Sequence, residues 1–243
     1  MVNQTPLSVV KYPIGIESRI RHIYQRLSIG KNDIILIVGI FGTGGIGKIT
    51  ISKDIYDQIS SQFKGSCFLE EVRETSKQTG ENLVGDRASF GSGSRIIIIT
   101  RDQQLLKSFE VDSKYEVEIL DDNEALWLFS LHAFKKDEPL DGYVELSKQV
   151  IKYAQGLPLA LTVLGSDVKG QSIYQWKSAL DKYKNIPNGK IQKVLLVSYE
   201  GLDDIEREIF LDIAFFFKGE SLPDVMKIFD YCGFFSRPWN QEA

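Results

Sequence analysis

The sequence predicts an α/β fold: a parallel sheet with flanking helices built around a phosphate loop, with an all-helical part after it. Three observations predict it. IILIVGI, residues 34–40, is a continuous apolar run of strand length that leads into the glycine-rich stretch GTGGIGKIT, Gly42 to Thr50. Isoleucine then recurs every fourth residue at Ile51, Ile55 and Ile59, the spacing of one buried helix face. From Asp121 onward the pattern is helical throughout.

Taken in order, Ile16, Ile20, Ile23, Tyr24 and Leu27 have helical spacing, and GKND breaks that helix. IILIVGI reads as a strand buried on both faces of a parallel sheet. The glycine loop and the Ile51 helix complete the strand–loop–helix context that a phosphate loop requires. SCFLEEV is a second strand candidate, with Cys67 as a buried strand residue. RETSKQTGENLVGDRASFGSGS carries no firm element, RIIIIT is a further buried strand, and YEVEIL is the last. Asp121 with Glu124 forms a capping-box pattern before NEALWLFSLHAF. Five more helices follow: GYVELSKQVIKYA, PLALTVLGSDV (begun by Pro158 and followed by Gly170), SIYQWKSALDKY, DIEREIFLDIAFFF and LPDVMKIFDYC, with IQKVLLVSYEGL as a sixth. Trp127, Trp176 and Phe215 to Phe217 are assigned to the core.

The loop matches G-x-x-x-x-G-K from Gly42 to Lys48. Its backbone N–H groups, including those of Gly44, Gly45, Ile46 and Gly47, and the helix N-terminus behind it suit phosphate oxygens, and Lys48 adds a cation. The residue after the lysine is normally Ser or Thr, whose hydroxyl holds Mg²⁺; here it is Ile49. Thr50 stands one position late, about 100° further round the helix, so it does not substitute for that ligand, although it can reach an α-phosphate. Hydrolysis also needs an acidic residue at the end of a second buried strand. Glu70 and Glu71 sit inside SCFLEEV, and Asp121 and Asp122 read as a helix cap, so that residue is missing too. Arg101, at the end of RIIIIT, is either a γ-phosphate sensor on the ligand face of the sheet or a surface arginine.

Composition narrows the classes. Hydrophobic residues make up 43% and charged residues 26%, a globular balance, and the net charge of −4 argues against a nucleic-acid surface. The two cysteines, Cys67 and Cys232, fit a reduced protein without disulfides. His22 and His132 have no Cys or Asp at ligand spacing, so no metal site is expected. No secretion signal opens the sequence and no apolar run is long enough to cross a bilayer, so neither membrane nor secretion is expected. The expected location is the cytoplasm, with the nucleus as the alternative.

In order along the chain, YPIGIESRI, GTGGIGKIT, FKGSCFLEEVRE, GSGSRIIIITRD, YEVEILDDNEALWLFSLHAF, GLPLAL and FLDIAFFFKG resemble the motifs of the NB-ARC module of plant intracellular immune receptors, of the subgroup with a Toll/interleukin-receptor domain. The resemblance implies an ADP/ATP switch with ADP in the resting state. It implies base contacts from Ile14, Gly15 and Ile16, phosphate contacts from Gly45, Gly47, Lys48 and Thr50, a sensor role for Arg101 and a base-side contact from Pro158. It also implies a linker over 1–14, a nucleotide-binding domain over 15–120, a helical domain over 121–186 and an incomplete winged-helix domain with a divergent tail over 187–243.

The chain also departs from the family pattern. The strand ending in two aspartates is missing, with a deletion of several dozen residues expected near Gly80 and Glu81. The leucine-rich repeats are not in this sequence. With both Mg²⁺ ligands absent, the expectation is a module that binds ADP, with ATP as a second nucleotide, and that has lost turnover. Protein partners from immune-receptor signalling are expected. An ATPase with residual Mg²⁺-dependent turnover, and a truncated interaction protein or gene fragment that binds no nucleotide, stay open as alternatives.

Overall fold

The computed structural model describes residues 7, 11–31, 33–69, 87–185, 188–189, 191–192, 196, 199, 204–217 and 221–231. The chain divides into two compact units, Met1–Leu195 and Leu196–Ala243.

In the first unit, α1 (Ile16–Leu27) buries Ile16, Ile20, Ile23 and Leu27, the face predicted from spacing. Strand β1 (Leu36–Phe41) is buried along nearly its whole length. Helix α2 (Lys48–Ile59) lays Ile51, Ile55 and Ile59 against it. β2 (Arg95–Ile99), the short α3 (Leu105–Ser108) and β3 (Ser113–Glu116) complete the α/β part. The described sheet has three parallel strands in the order β2-β1-β3. Its register pairs Leu36 with Arg95 and Ile40 with Ile99 on one side, and Val38 with Ser113 on the other. RIIIIT therefore lies beside IILIVGI, as expected for a sheet of fewer strands.

Three expectations need correction. RIIIIT is only half-buried, because β2 is an edge of the described sheet instead of an interior strand. Ser66–Leu69 carries no strand pairing and Cys67 is exposed; the rest of SCFLEEV lies outside the described residues. β3 begins two residues before YEVEIL and ends at Glu116, although Tyr115, Val117 and Leu120 are buried as an inward-facing run would be. Arg95 closes the far end of the sheet. Its guanidinium donates to the carbonyls of Leu27, Ser28, Lys31 and Ile34, placing a cation where the C-terminal end of α1 is electronegative.

The helical part follows. α4 (Asp122–Ala133) opens on the predicted capping box, with the Asp121 carboxylate accepting from Asn123 and Glu124 N–H. α5 (Val144–Ala154), α6 (Pro158–Asp167) and α7 (Ile173–Asn185) pack with it around Phe129, Leu161, Leu164 and Trp176. Trp176 is 1% exposed and donates its indole N–H to Val168 O at 2.8 Å, which satisfies its polar atom. Trp127 was assigned to the core but is 48% exposed: α4 buries Ala125, Leu128, Phe129 and Ala133, and Trp127 lies off that face.

In the second unit, α8 (Asp204–Phe216) and α9 (Leu222–Tyr231) are described. Val225 and Phe229 are buried there, and the Phe217 and Phe229 rings meet with centroids 5.6 Å apart. Phe215 and Phe216, also assigned to the core, are 77% and 75% exposed. The run FLDIAFFF is apolar over more of the helix circumference than one neighbouring helix can cover. Among the described residues no helix is long and apolar enough to cross a membrane.

Candidate functional site

The glycine loop spans the step from β1, which ends at Phe41, to α2, which begins at Lys48. Two of its glycines are required by geometry. Gly47 is the N-cap of α2 at φ 97°, in the left-handed region that side chains disfavour. Gly45 has φ 80°, and a Cβ there would come within 2.8 Å of Leu159 Cβ. That closeness serves a contact, since Leu159 N–H donates to Gly45 O at 3.2 Å. The start of α6, with Pro158 as its first residue, is thereby seated on the loop.

The α2 N-terminus has no side-chain cap and no acidic residue in its first turn. Its N–H groups keep the partial positive charge that suits an anion. Lys48 is 8% exposed, and its ammonium donates to Gly42 O at 2.6 Å and Thr43 O at 2.9 Å. Burial, with a smaller contribution from the charge of Arg101, pushes its pKa down to about 8. Thr100 N–H donates to Ile40 O at 3.0 Å, so the strand-end arginine and the loop lysine stand at the same end of the sheet. Two cations within electrostatic reach, one of them buried against carbonyls only, form a site poised for negative charge. Arg101 itself is exposed, which fits both the sensor and the surface reading.

Ile49 points outward and is 57% exposed, so the position that normally carries the Mg²⁺-binding hydroxyl presents a hydrocarbon to solvent. Thr50 is half-buried in the first turn of α2. Ile46 is buried at 3% and anchors the loop in the α/β core; Gly42 has φ 144° at its entry and Gly44 is buried. Ile14 packs on the helical core and Ile16 belongs to the α/β core, so Gly15 between them sits where the two cores meet. Leu157, next to Pro158, packs against both clusters. The structure thus gathers the glycine loop, Lys48, Arg101 and the start of α6 at the end of the sheet where β1 enters α2. The Ile14–Ile16 segment lies along the same seam.

Sequence reasoning missed Arg19, Leu159 and Gly156. Arg19 had a visible signal: it falls at i+3 from Ile16 on the apolar face of α1, where a charge needs a partner. Gly156, at φ 68°, accepts from Leu120 N–H at 2.9 Å and ties the end of the α/β part to the turn before α6.

An α/β phosphate-loop module with a helical partner is the class this fold and loop define. No protein-family model matches the chain. Similar curated proteins include disease resistance protein RPV1 of Vitis rotundifolia, 39% identical over 91% of this chain, and RUN1 of the same plant, 36% identical over 91%. TMV resistance protein N of Nicotiana glutinosa is 34% identical over 93%. Over about nine-tenths of its length the chain is thus similar to a segment of the plant disease resistance proteins, which supports the resemblance to their NB-ARC module. It spans about a fifth of the length of these relatives, 20%, 20% and 24%. The alignment to RPV1 runs over 274 positions, more than the 243 residues of this chain, so the relative carries internal residues that this chain lacks. The expected deletion point near Gly80 and Glu81 lies outside the described residues. Among solved structures, a RuvB variant from Thermotoga maritima is similar at a TM-score of 0.44 and 14% identity, over 89% of this chain and 82% of that one.

Proposed function

We propose that the chain binds ADP, and ATP more weakly, as the nucleotide-holding module of a plant defence signalling protein, without turnover. The observation that carries this reading is the buried Lys48 at an uncapped helix N-terminus behind a glycine loop, with Arg101 at the same end of the sheet. In this reading Gly45, Gly47, Lys48 and Thr50 hold the phosphates. The segment Ile14–Gly15–Ile16 and Pro158 flank the base. Lys48 exchanges its two carbonyl partners for phosphate oxygens. The diphosphate is preferred because a γ-phosphate would bring further charge without the metal that normally offsets it. Protein partners in defence signalling and a cytoplasmic location belong to the same proposal.

The test is calorimetry of the purified 243-residue chain with ADP, paired with thermal unfolding. ADP at a hundred times its dissociation constant is expected to add about 2.7 kcal/mol of stability. A folded protein that gives no binding heat and whose melting temperature ignores ADP would sink the reading.

Residual ATPase activity is the competing reading, and Ile49 discriminates. Ile49→Thr restores a hydroxyl at the metal position, but no acidic strand residue is restored with it. The expected result is unchanged, background-level phosphate release with Mg²⁺. Robust Mg²⁺-dependent release from this single change, or from the unaltered chain and lost in Lys48→Ala, would favour the ATPase.

A further inference from the structure

Arg19 is a buried charged side chain of the α/β part whose donors are all partnered. It is 8% exposed, on the buried face of α1. Each of its N–H groups is spent. Nε donates to Glu118 O at 3.2 Å, Nη1 to Gly15 O at 2.6 Å and Nη2 to Ile119 O at 2.7 Å. The remaining two take the Glu124 carboxylate fork to fork, Nη1 to Oε1 at 3.2 Å and Nη2 to Oε2 at 3.1 Å. A guanidinium offers five donors in a fixed plane, and this arrangement uses all five. Glu124 is fixed in turn, because its Oε2 also accepts from Asp121 N–H in the capping box.

The clamp joins two stretches far apart in sequence, one around Gly15 and Arg19 and one over residues 118–124. Gly15 precedes α1, residues 118–119 leave the α/β part after β3, and Glu124 lies in the first turn of α4. Gly15 is adapted to the clamp. At φ 69°, a Cβ there would fall 2.5 Å from Arg19 Nη1 and 2.7 Å from Glu124 Oε1. A lysine has one point charge and cannot span two carboxylate oxygens and three carbonyls in one plane.

We propose that Arg19 is a positioning residue for the base of the bound nucleotide: it holds the Ile14–Gly15–Ile16 segment against the first turn of α4. One side chain thereby sets both the shape of the base-side segment and the seating of the helical part. The proposal rests on the nucleotide-binding reading above. Under it, base recognition and the attachment of the helical part are energetically coupled, and the coupling is reciprocal. The phosphate end is held more locally, since Lys48 bonds to the loop's own carbonyls and the clamp reaches the loop indirectly, through the Leu159–Gly45 contact.

That difference supplies the test. Affinities for ADP and for inorganic pyrophosphate are measured by calorimetry on the full chain, for the unaltered protein, Arg19→Lys and Glu124→Gln. The expected result is at least a tenfold loss of ADP affinity in Arg19→Lys, with pyrophosphate affinity within twofold, and a smaller loss of the same selectivity in Glu124→Gln. If Arg19→Lys does not fold, Glu124→Gln is read by the same two ligands. Equal losses on both ligands, or no loss on either, assign Arg19 to fold stability alone and overturn the proposal. Failure of both variants to fold overturns it as well. An unaltered protein that binds pyrophosphate but not ADP overturns the base-positioning role and leaves the phosphate loop standing. One that binds neither overturns the nucleotide reading itself.

Discussion

Lys48→Met is expected to weaken ADP binding by roughly 10- to 150-fold, the effect of losing a charge-assisted hydrogen bond of about 1.5–3 kcal/mol. The same change is expected to leave the melting temperature of the ligand-free protein no lower than that of the unaltered chain. The two signs have one cause. In the free protein the ammonium is buried against Gly42 O and Thr43 O, with the charge of Arg101 opposing it, so its charged form is disfavoured. A methionine of similar length removes that burden, at the cost of two carbonyls left without a donor. In the bound protein the phosphate needs the charge. A variant that lost affinity and stability together would place Lys48 in the fold and not in the site.

The pH dependence follows from the same residue. The folded-state pKa of Lys48 is about 8, against an ordinary value of 10.5. Between those values the unfolded chain holds a proton that the folded chain has released, so the contribution of this group to ligand-free stability rises with pH across that window. A bound phosphate favours the ammonium and reverses the shift. ADP binding measured inside the window is therefore expected to take up protons, seen as a binding heat that varies with the ionisation enthalpy of the buffer. Below the window Lys48 is already charged and this uptake vanishes.

What was legible in the sequence had a local cause. The glycine loop, the Ile51–Ile55–Ile59 face and the Asp121–Glu124 box each follow from spacings of a few residues, and the structure shows the elements they predicted. The parts that were not legible depend on partners far apart in the chain. RIIIIT reads as a buried strand because its side chains are apolar, but burial depends on a neighbouring strand, and the described sheet ends at β2. Cys67 in SCFLEEV fails for the same reason. Phe215 and Phe216 show the converse: hydrophobicity records what a surface can bury, and the described second unit offers them no cover. The Arg19 clamp joins residues as many as 105 positions apart, and nothing in the spacing of α1 names Glu124 as the partner. Lys48 was found from the motif. Its bent-back pose on the loop carbonyls was not, because only the folded loop brings those two oxygens round to it.

Gly156→Ala is expected to cost about 3 kcal/mol or more and to loosen the helical part before the sheet. Two penalties combine. The residue sits at φ 68°, which disfavours any side chain by roughly 1–2 kcal/mol. The new Cβ would also overlap Leu120 O, with Ile119 Cβ at 3.2 Å and Leu120 N at 3.3 Å close behind. These are not flexible side-chain tips that could swing away. Two of the three are backbone atoms of the segment that runs into the Asp121 cap, and the third is held to that backbone. Relief requires Leu120 to move, which strains its hydrogen bond to Gly156 O and draws it from the core formed with Phe129 and Leu161. The displacement also reaches the phosphate loop. Gly156 leads directly into Leu157, Pro158 and Leu159, and Leu159 N–H is the group that reaches Gly45 O. Urea unfolding should show the lower stability, and hydrogen exchange should show protection lost first at the amides of Leu120 and Leu159. The contrast is Gly170→Ala, where φ is 72° but nothing lies within 4 Å, so only the backbone penalty applies. Equal effects from the two substitutions would mean that the contact with Leu120 adds nothing beyond conformational strain, and that the seam between the sheet and the helices is held elsewhere.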